Sequence, residues 1–406
     1  MERRVVITGL GIWSCLGTNL DEVRQSLYSG KSVIIFSQAR KDAGFRSALC
    51  ADVPKADLKK YLSRDLRKLM PEEAQYGYLA TIQAMEHAKL DQDFLDQNEV
   101  GVIYGNDSVA EATMQALDKF RQAGSTAACG SGAIFQSMNS TVTMNLATLL
   151  HLRGINLTAS AACASGSHSV GLGYLLIKDG LQDCIICGGA QEANMFSVAS
   201  FDGLMAFSTR EDEPTKASRP FDRDRDGLIP VGGAATLVLE SYEHAVKRGA
   251  PILAEIVGWG FSGNGDHIST PNVAGPTRSL ELCLKNGGIN PRDIGYINAH
   301  ATSTHAGDGR EALAIANIFG DYRVPVTSTK SQTGHEMWMA GASELIYSLL
   351  MMKNDFIAGS LNFENPDDDT ACINVIPETR EAHFDMFLSN SFGFGGTNSS
   401  LIIKNL

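Results

Sequence analysis

The chain has 406 residues, of which 44% are hydrophobic and 20% are charged, so a large core can form and global disorder is excluded. Its 34 basic and 46 acidic residues give a formal net charge of −12, which disfavours binding to nucleic acid or to an anionic membrane surface. Its 8 cysteines are spread too thinly for a disulfide scaffold, and no secretory signal is visible. We predict a cytoplasmic protein without a membrane span.

Short apolar runs beside glycine recur along the chain, and they predict strands buried on both faces. The runs are Val5–Thr8, Val100–Tyr104, Asn156–Thr158, Asp183–Cys187, Thr236–Leu239, Leu253–Val257, Ile294–Asn298, Val324–Thr327, Met386–Ser389 and Leu401–Lys404. Helical patterns lie between them, including Pro71–Lys89, Ser165–Lys178, Arg278–Asn286 and Glu344–Lys353. This alternation predicts an α/β fold with parallel sheets.

The chain also repeats a pattern at half its length. Residues 156–180 and residues 325–356 each combine a strand, a small-residue turn with a reactive side chain, and a long apolar helix. Several such matches in the same order predict a duplicated α/β unit. We therefore predict an N-terminal half, residues 1–250, that carries a nucleophilic cysteine, and a C-terminal half, residues 251–406, that carries two histidines.

Cys163 lies between a predicted strand and a helix that starts with small residues. Free N–H groups and the positive end of the helix dipole favour a thiolate at such a place, so we predict a nucleophile with a lowered pKa. Its own N–H would contribute to an oxyanion hole. A buried packing cysteine is the alternative, and this motif alone leaves it open.

His300 and His335 both follow short apolar strands, at the carboxyl ends where α/β sheets place their sites. Equivalent positions in the two halves would bring Cys163 and His335 face to face. Two neutral imidazoles can donate hydrogen bonds to one thioester oxygen and stabilise an enolate as a carboxylate leaves as carbon dioxide. Lys330 would keep both rings unprotonated by charge repulsion.

Residues 389–398 form a glycine-rich segment near the C-terminus, in which backbone can approach a substrate closely. The N–H of Phe394 is a candidate second donor for the oxyanion hole. A plain glycine-rich turn before the last strand is the alternative for this segment.

Together these features resemble the elongating β-ketoacyl-acyl-carrier-protein synthases, closest to type I, which are condensing enzymes with the thiolase fold. The resemblance covers essentially the whole chain. It rests on the ordered motifs Val5–Gly11, Ala161–Gly166, Arg219–Gly227, His300–Thr304, Lys330–His335 and Asn390–Asn398. It implies duplicated βαβ halves in a layered α-β-α-β-α architecture. It also implies a homodimer with its interface in the uncharged segment 122–152, while a heterodimer stays open.

The resemblance implies a decarboxylative Claisen condensation of malonyl-carrier protein with a cysteine-bound acyl chain, which grows by two carbons in fatty-acid or specialised polyketide or polyene synthesis. No metal or organic cofactor is implied, since the substrates carry phosphopantetheine. The implied roles are Cys163 as nucleophile, His300 and His335 as decarboxylation pair, Lys330 and Glu344 as their support, Phe394 as gate and oxyanion donor, and Thr302, Thr304 and Phe392 as substrate-binding residues. A chain-length-factor-like subunit of a heterodimeric ketosynthase is the alternative.

Acyl carrier protein is the implied partner, and carrier proteins are acidic. A chain of net charge −12 therefore needs a local basic docking surface. Arg64, Arg67 and Lys68 are the best candidates, with a solvated helix face as the alternative.

The sequence departs from the family's pattern after the second histidine, where small residues are usual. Trp338 and Met339 stand there instead. Dense cores resist added volume, so we predict that both residues contact substrate and reshape the acyl pocket, towards conjugated or aryl-primed chains. Ala301 also replaces the usual glycine after His300.

Overall fold

The computed structural model describes residues 3–406, which form one large mixed sheet with helices on its faces and two small two-stranded sheets. The strands are β1 (Val5–Trp13), β2 (Ile35–Phe36), β3 (Leu49–Cys50), β4 (Val100–Gly105), β5 (Asn156–Ala159), β6 (Cys184–Gln191), β7 (Gly233–Ser241), β8 (Ala254–Gly263), β9 (Tyr296–Asn298), β10 (Pro325–Thr327), β11 (Phe356–Ile357), β12 (Asn374–Val375), β13 (Arg380–Glu381), β14 (Met386–Gly393) and β15 (Thr397–Asn405). The helices are α1 (Leu20–Ser29), α2 (Gln38–Asp42), α3 (Arg64–Arg67), α4 (Glu72–Ala88), α5 (Gln92–Gln97), α6 (Ala110–Ala123), α7 (Ala133–Ser137), α8 (Thr141–Leu149), α9 (Ser165–Lys178), α10 (Met195–Gly203), α11 (Tyr242–Arg248), α12 (Ala274–Gly287), α13 (His305–Phe319), α14 (Lys330–Thr333) and α15 (Ala340–Lys353). Single 3₁₀ turns occupy Thr126–Cys129, Pro214–Lys216, Pro291–Asp293, Met337–Met339 and Phe394–Gly396.

The predicted strands and helices are present, and α9 has the predicted bounds. The prediction of parallel sheets is wrong, because the large sheet is mixed. Strand β1 is antiparallel to both β7 and β8, and β14 is antiparallel to β15. Strand β4 is parallel to β5 and β6, and β9 is parallel to β10 and β14. An apolar run indicates only that a strand is buried on both faces. Helices cover both faces of this sheet, so parallel and antiparallel strands have the same apolar pattern.

The large sheet has 11 strands in the order β12-β10-β9-β14-β15-β8-β1-β7-β6-β4-β5. Strands β1, β4, β5, β6 and β7 form one run, and β8, β9, β10, β14 and β15 form the other. If the five strands of each run are numbered along the chain, both runs show the same order in the sheet: third, second, fourth, fifth, first. The first run is read from β5 to β1 and the second from β10 to β8, with β12 added beyond β10. This identity supports the proposed division into two related halves near residue 250.

Helices cover the two runs in layers. Helix α4 packs on β1 and β7, and α12 packs on β8 and β15. Helices α9 and α15 pack on each other and also contact strands of the sheet. Helix α15 is buried along almost its whole length because it lies in the central layer. Within residues 3–406, no helix has the length and apolar character needed to cross a membrane.

The two central helices approach each other through glycine. A Cβ placed on Gly166 of α9 would lie 2.9 Å from the backbone nitrogen of Ala342. A Cβ placed on Gly341 of α15 would lie 2.4 Å from the backbone nitrogen of Ser167. No real side chain fits at these distances, so glycine sets the spacing of the helices. That spacing decides how far the first residues of α9 lie from the segment that precedes α15.

Candidate active site

Cys163 lies in the tight turn between β5 and α9, next to a strained residue. Ala162 has a φ of 48°, in the left-handed region that alanine rarely adopts. Its N–H donates to Oδ2 of Asp107 at 2.8 Å, and its carbonyl accepts the Ser165 hydroxyl at 2.6 Å. These contacts hold the turn in the conformation that places the cysteine sulfur in a cavity.

The structure brings Cys163, His300 and His335 together. The sulfur and one nitrogen of each ring all lie within 4.8 Å of one another. The two imidazole rings have centroids 5.3 Å apart and are nearly perpendicular, at 86°. All three side chains are buried. The cysteine comes from the first run of strands and both histidines come from the second.

Both imidazoles are uncharged in this environment. Burial lowers the pKa of His300 and of His335 well below the ordinary value, and the nearby Lys330 ammonium lowers both further. The predicted charge repulsion is therefore present, although the loss of water is the larger effect. Nδ1 of His335 accepts the backbone N–H of Met337 at 3.3 Å. The proton of neutral His335 then resides on Nε2, which has no partner among the described residues.

The pKa of Cys163 differs from the sequence-based prediction. Burial raises the pKa of this thiol to about 12, so the prediction of a lowered pKa is wrong for the resting protein. Lys330 and the backbone N–H groups of Cys163 and Phe394 act on the sulfur in the opposite direction, but they do not outweigh the loss of water. The resting nucleophile is a protonated thiol, and its proton must leave when the sulfur attacks.

Buried charged groups surround the histidines. Lys330 and Glu344 form an ion pair in which each side chain is 2% exposed. Burial raises the pKa of Glu344, and the lysine opposes that rise. Glu311 accepts the backbone N–H of His300 at 2.9 Å and that of Ala301 at 2.7 Å. It thereby fixes the turn that carries the first histidine.

A cavity of about 290 Å³ opens onto the sulfur and both rings. Phe392 and Phe394 line it, and so do Thr302 and Thr304, whose hydroxyl oxygens lie 3.2 Å apart. The Phe392 ring is 6.1 Å from that of His300. A thiol, two neutral imidazoles and two convergent N–H groups in a mainly apolar cavity are the groups that acyl transfer and enolate chemistry require.

Comparisons with known proteins agree with this geometry. The sequence matches “Beta-ketoacyl synthase, N-terminal domain” over residues 2–245 and “Beta-ketoacyl synthase, C-terminal domain” over residues 253–364. The chain belongs to the β-ketoacyl synthase family. It is 41% identical over 405 residues to 3-oxoacyl-[acyl-carrier-protein] synthase 1 of Haemophilus influenzae, with 99% of each chain covered.

Solved structures give the same assignment. A β-ketoacyl synthase from Burkholderia phymatum is similar with a TM-score of 0.95 and 36% identity, over 100% of both chains. The ishigamide ketosynthase/chain length factor is similar with a TM-score of 0.91 and 30% identity, again over 100% of both chains. The thiolase-type α/β fold and the family predicted from the sequence motifs are confirmed.

The two bulky residues of this β-ketoacyl synthase have different surroundings. Trp338 is buried beside Cys163 in a small apolar cluster, whereas Met339 is fully buried in the main core. Neither residue lines the cavity, which Met337 lines instead. Met337 has a φ of 50° and starts a 3₁₀ turn. This strained backbone brings Met337 to the cavity and leaves Met339 facing the core.

The basic residues proposed for docking lie on the surface of the synthase, in and next to α3. The Lys68 ammonium is 3.2 Å from the Asp65 carboxylate, and Nε of Arg67 donates to the carbonyl of Leu62 at 3.2 Å. The side chain of Arg64 forms no ion pair with a described residue. The docking role of this segment stays a prediction.

Sequence reasoning missed several residues of the synthase site. Glu311 is followed in α13 by the apolar run Ala312–Ala316, and a carboxylate beside such a run was the signal in the sequence that could have identified it. Asp107 holds the turn before the nucleophile from a distant strand end, and Phe201 lines the cavity from α10. Neither residue carries a local signal, because only the folded chain places it near Cys163.

Proposed function

We propose that this β-ketoacyl synthase is a 3-oxoacyl-acyl-carrier-protein synthase. It condenses malonyl-carrier protein with an acyl chain held on Cys163 and extends that chain by two carbons, as in fatty-acid synthesis. The observation that carries the proposal is the convergence of one sulfur and two uncharged imidazoles within 4.8 Å. The name of the Haemophilus influenzae relative supports the same reaction.

In the first half-reaction, the Cys163 sulfur attacks the carbonyl carbon of an acyl-carrier thioester. The bond from carbon to the carrier sulfur breaks as the bond to the cysteine sulfur forms. The cysteine proton passes to the departing carrier thiolate, so the carrier leaves as a free thiol. The N–H groups of Cys163 and Phe394 stabilise the negative oxygen of the tetrahedral intermediate.

In the second half-reaction, the malonyl thioester loses its carboxylate as carbon dioxide. His300 and the Nε2–H of His335 donate to the thioester oxygen and stabilise the enolate. The carbanion then attacks the acyl carbon on Cys163 and displaces the cysteine sulfur, which takes up a proton. The products are a 3-oxoacyl-carrier thioester, carbon dioxide and the free thiol.

The cavity also fits a substrate on a long arm. Thr302 and Thr304 present hydroxyl groups along its wall, as hydrogen-bond partners for the amides of phosphopantetheine. The Phe394 ring stacks on that of Phe201 at 6.2 Å. We assign Phe394 as the gate, because its ring and its oxyanion N–H belong to one residue on a glycine-rich turn.

The non-catalytic alternative, a chain-length-factor-like subunit, is less well supported. A subunit that only shapes a partner's pocket has no need for a nucleophile with two neutral imidazoles in reach. Here Cys163, His300 and His335 are all present and converge in one cavity. The arrangement favours a working condensing enzyme.

We also propose that the synthase is a homodimer. Strand β5 is at the edge of the large sheet, and Leu157 in its middle is 43% exposed. In the neighbouring predicted interface, Ile134 is 62% exposed and Phe135 is 50% exposed. An unpaired strand edge beside exposed apolar side chains favours a second copy of the same surface. Light scattering of the wild-type protein and of Leu157→Asp tests this proposal, and a monomeric wild type would contradict it.

The cytoplasmic location stays a prediction.

The decisive experiment uses the full chain with an acyl-carrier thioester and malonyl-carrier protein. We expect mass spectrometry to find the acyl group on Cys163 and a 3-oxoacyl product two carbons longer, with release of carbon dioxide. Decarboxylation without any Cys163 adduct would contradict the proposal, and so would an adduct that never condenses.

A further inference from the structure

Trp338 is buried next to the nucleophile but does not line the open cavity. It forms one buried apolar cluster with Cys163 and Met337, against which Ala162 and Phe201 pack. Its indole ring is 6.0 Å from the Phe201 ring. The indole therefore occupies space next to the sulfur, where a chain attached to that sulfur would also have to lie.

The indole is also tied in place. Its Nε1–H donates to the hydroxyl oxygen of Ser108 at 3.2 Å. Ser108 adjoins Asp107, whose carboxylate accepts the N–H of Ala162. The ring can swing aside only by giving up its hydrogen bond to a loop that also holds the nucleophile turn.

The backbone of Trp338 has equally little freedom. Its carbonyl oxygen would lie 2.7 Å from a Cβ placed on Gly189 and 2.9 Å from one placed on Gly166. These approaches wedge the 3₁₀ turn between β6 and α9. A shift of the backbone would disturb the contact between the central helices.

The open cavity lies next to this cluster, because Cys163, Met337 and Phe201 all line it. Within residues 3–406, neither Trp338 nor its hydrogen-bond partner Ser108 lines the cavity. An acyl group on the sulfur would therefore meet Phe201 and Met337 on the open side and the indole of Trp338 in the buried cluster. Dense packing around a pinned indole does not yield to several added methylene groups.

We propose that Trp338 is a specificity-determining residue, the end wall of the acyl site, which restricts Cys163 to short acyl chains and excludes long saturated ones. This inference rests on the proposed ketosynthase function and adds its substrate class. One steric mismatch in an apolar pocket discriminates by about 10- to 200-fold, and we expect a selectivity in that range.

The test offers the full-length protein an equimolar mixture of butyryl- and dodecanoyl-pantetheine. Intact-protein mass spectrometry then gives the ratio of butyryl to dodecanoyl adducts on Cys163. We expect a ratio of about 10 or more for the wild type and a ratio near unity for Trp338→Gly. Ser108→Ala, which removes the hydrogen bond and keeps the wall, should give an intermediate ratio.

The matched control is Trp13→Leu, compared with Trp338→Leu. Trp13 also donates its indole N–H, to the carbonyl of Pro54 at 2.6 Å, but it does not belong to the cluster around Cys163. We expect Trp338→Leu to lower the ratio and Trp13→Leu to keep it. These two variants and Ser108→Ala decide the question if Trp338→Gly does not fold.

A butyryl-to-dodecanoyl ratio near unity in the wild type would contradict the assignment of Trp338 as the end wall. An unchanged ratio in Trp338→Gly or Trp338→Leu would contradict it too. Both outcomes leave the proposed function intact, because Cys163 still becomes acylated. If neither the butyryl nor the dodecanoyl adduct formed in the wild type or in any variant, the proposed function would be refuted, and this inference would fail with it.

Discussion

The backbone N–H of Met337 donates to Nδ1 of His335 at 3.3 Å. This contact places the ring proton on Nε2 and so makes His335 a donor towards the reacting groups. Met337 also lines the cavity, and its backbone has a φ of 50°. One strained residue therefore sets both the protonation of a catalytic ring and part of the pocket wall.

Replacement of His335 should separate the two half-reactions. His335→Phe keeps a flat ring and removes the donor, and the loss of one such donor lowers rates by about 10²- to 10³-fold. We expect carbon dioxide release from malonyl-carrier protein to fall by that factor and acylation of Cys163 to fall less. His383→Phe, at an exposed site, is the control. An equal loss in both half-reactions would contradict the assignment.

Removal of the nucleophile should have the converse effect. Cys163→Ala removes the sulfur and keeps both imidazoles, so we expect no acyl adduct by mass spectrometry and continued decarboxylation of malonyl-carrier protein. Adducts at another cysteine would contradict the proposed role. Cys372→Ala is a suitable control, because Cys372 is partly exposed and does not line the cavity.

The lowered histidine pKa values predict the pH dependence of decarboxylation. The neutral rings are the active form, so the decarboxylation rate falls only as pH drops through their pKa values. Because both values lie well below the ordinary 6.5, the rate should not change as pH passes through 6.5. Lys330→Met combined with Glu344→Gln removes the buried pair without leaving a lone charge. The histidine pKa values should then rise, and the acid limb should move to higher pH with roughly a tenfold fall per pH unit below it. Identical pH profiles for carbon dioxide release would contradict this role of Lys330.

The basic segment at α3 predicts a selective effect on carrier-bound substrates. Arg64→Glu with Lys68→Glu should raise KM for acyl-carrier protein by roughly three- to tenfold and leave KM for short pantetheine thioesters unchanged. Lys285→Glu, at an exposed position of α12, is the control. It reverses one surface charge away from α3 and should leave KM for acyl-carrier protein unchanged. An equal rise for both kinds of substrate would refute the docking role.

Glu240 predicts the acid sensitivity of the fold. Burial alone would raise its pKa, but hydrogen bonds from Arg248, His244 and Thr8 outweigh that effect and lower the pKa to about 2 from 4.5. A lowered carboxyl pKa stabilises the folded state above pH 4.5, and this contribution is lost as pH falls towards 2. Glu240→Gln should lower the free energy of unfolding at pH 7 by about 3 kcal/mol.

Urea unfolding at pH 7 and at about pH 3 measures this difference. The difference in free energy of unfolding between wild type and Glu240→Gln should be smaller at the lower pH. There, protonation of the wild-type carboxylate begins to remove its stabilising contribution. Glu243→Gln, at an exposed position of α11, is the control. A gap of the same size at both pH values would contradict the prediction.

The sequence predicted the elements and the reacting side chains because both leave local signals. Apolar runs and small-residue turns mark β5, α9 and the cysteine between them, and this part of the chain folds as expected. Strand direction is a property of the sheet, so the antiparallel pairing of β1 with β7 and β8 had no local signal. The pKa of Cys163 depends on how completely the fold excludes water, and this effect outweighs the opposing effects of Lys330 and the nearby backbone N–H groups.

The bulky run after His335 shows the same limit at the scale of one side chain. Spacing in a regular helix would place Trp338 and Met339 near the substrate. The 3₁₀ turn at Met337–Met339 and the positive φ of Met337 rotate the run instead. Met337 then lines the cavity, Trp338 packs beside Cys163 in a buried cluster, and Met339 joins the core.

The split origin of the sulfur and the imidazoles has a consequence for the nascent protein. Cys163 is synthesised long before His300 and His335, and the two rings come from the second run of strands. A ribosome-bound fragment that ends before β9 contains the thiol without either ring. Chemical competence therefore arrives only when the last strands dock, so an unfinished chain cannot consume malonyl thioesters.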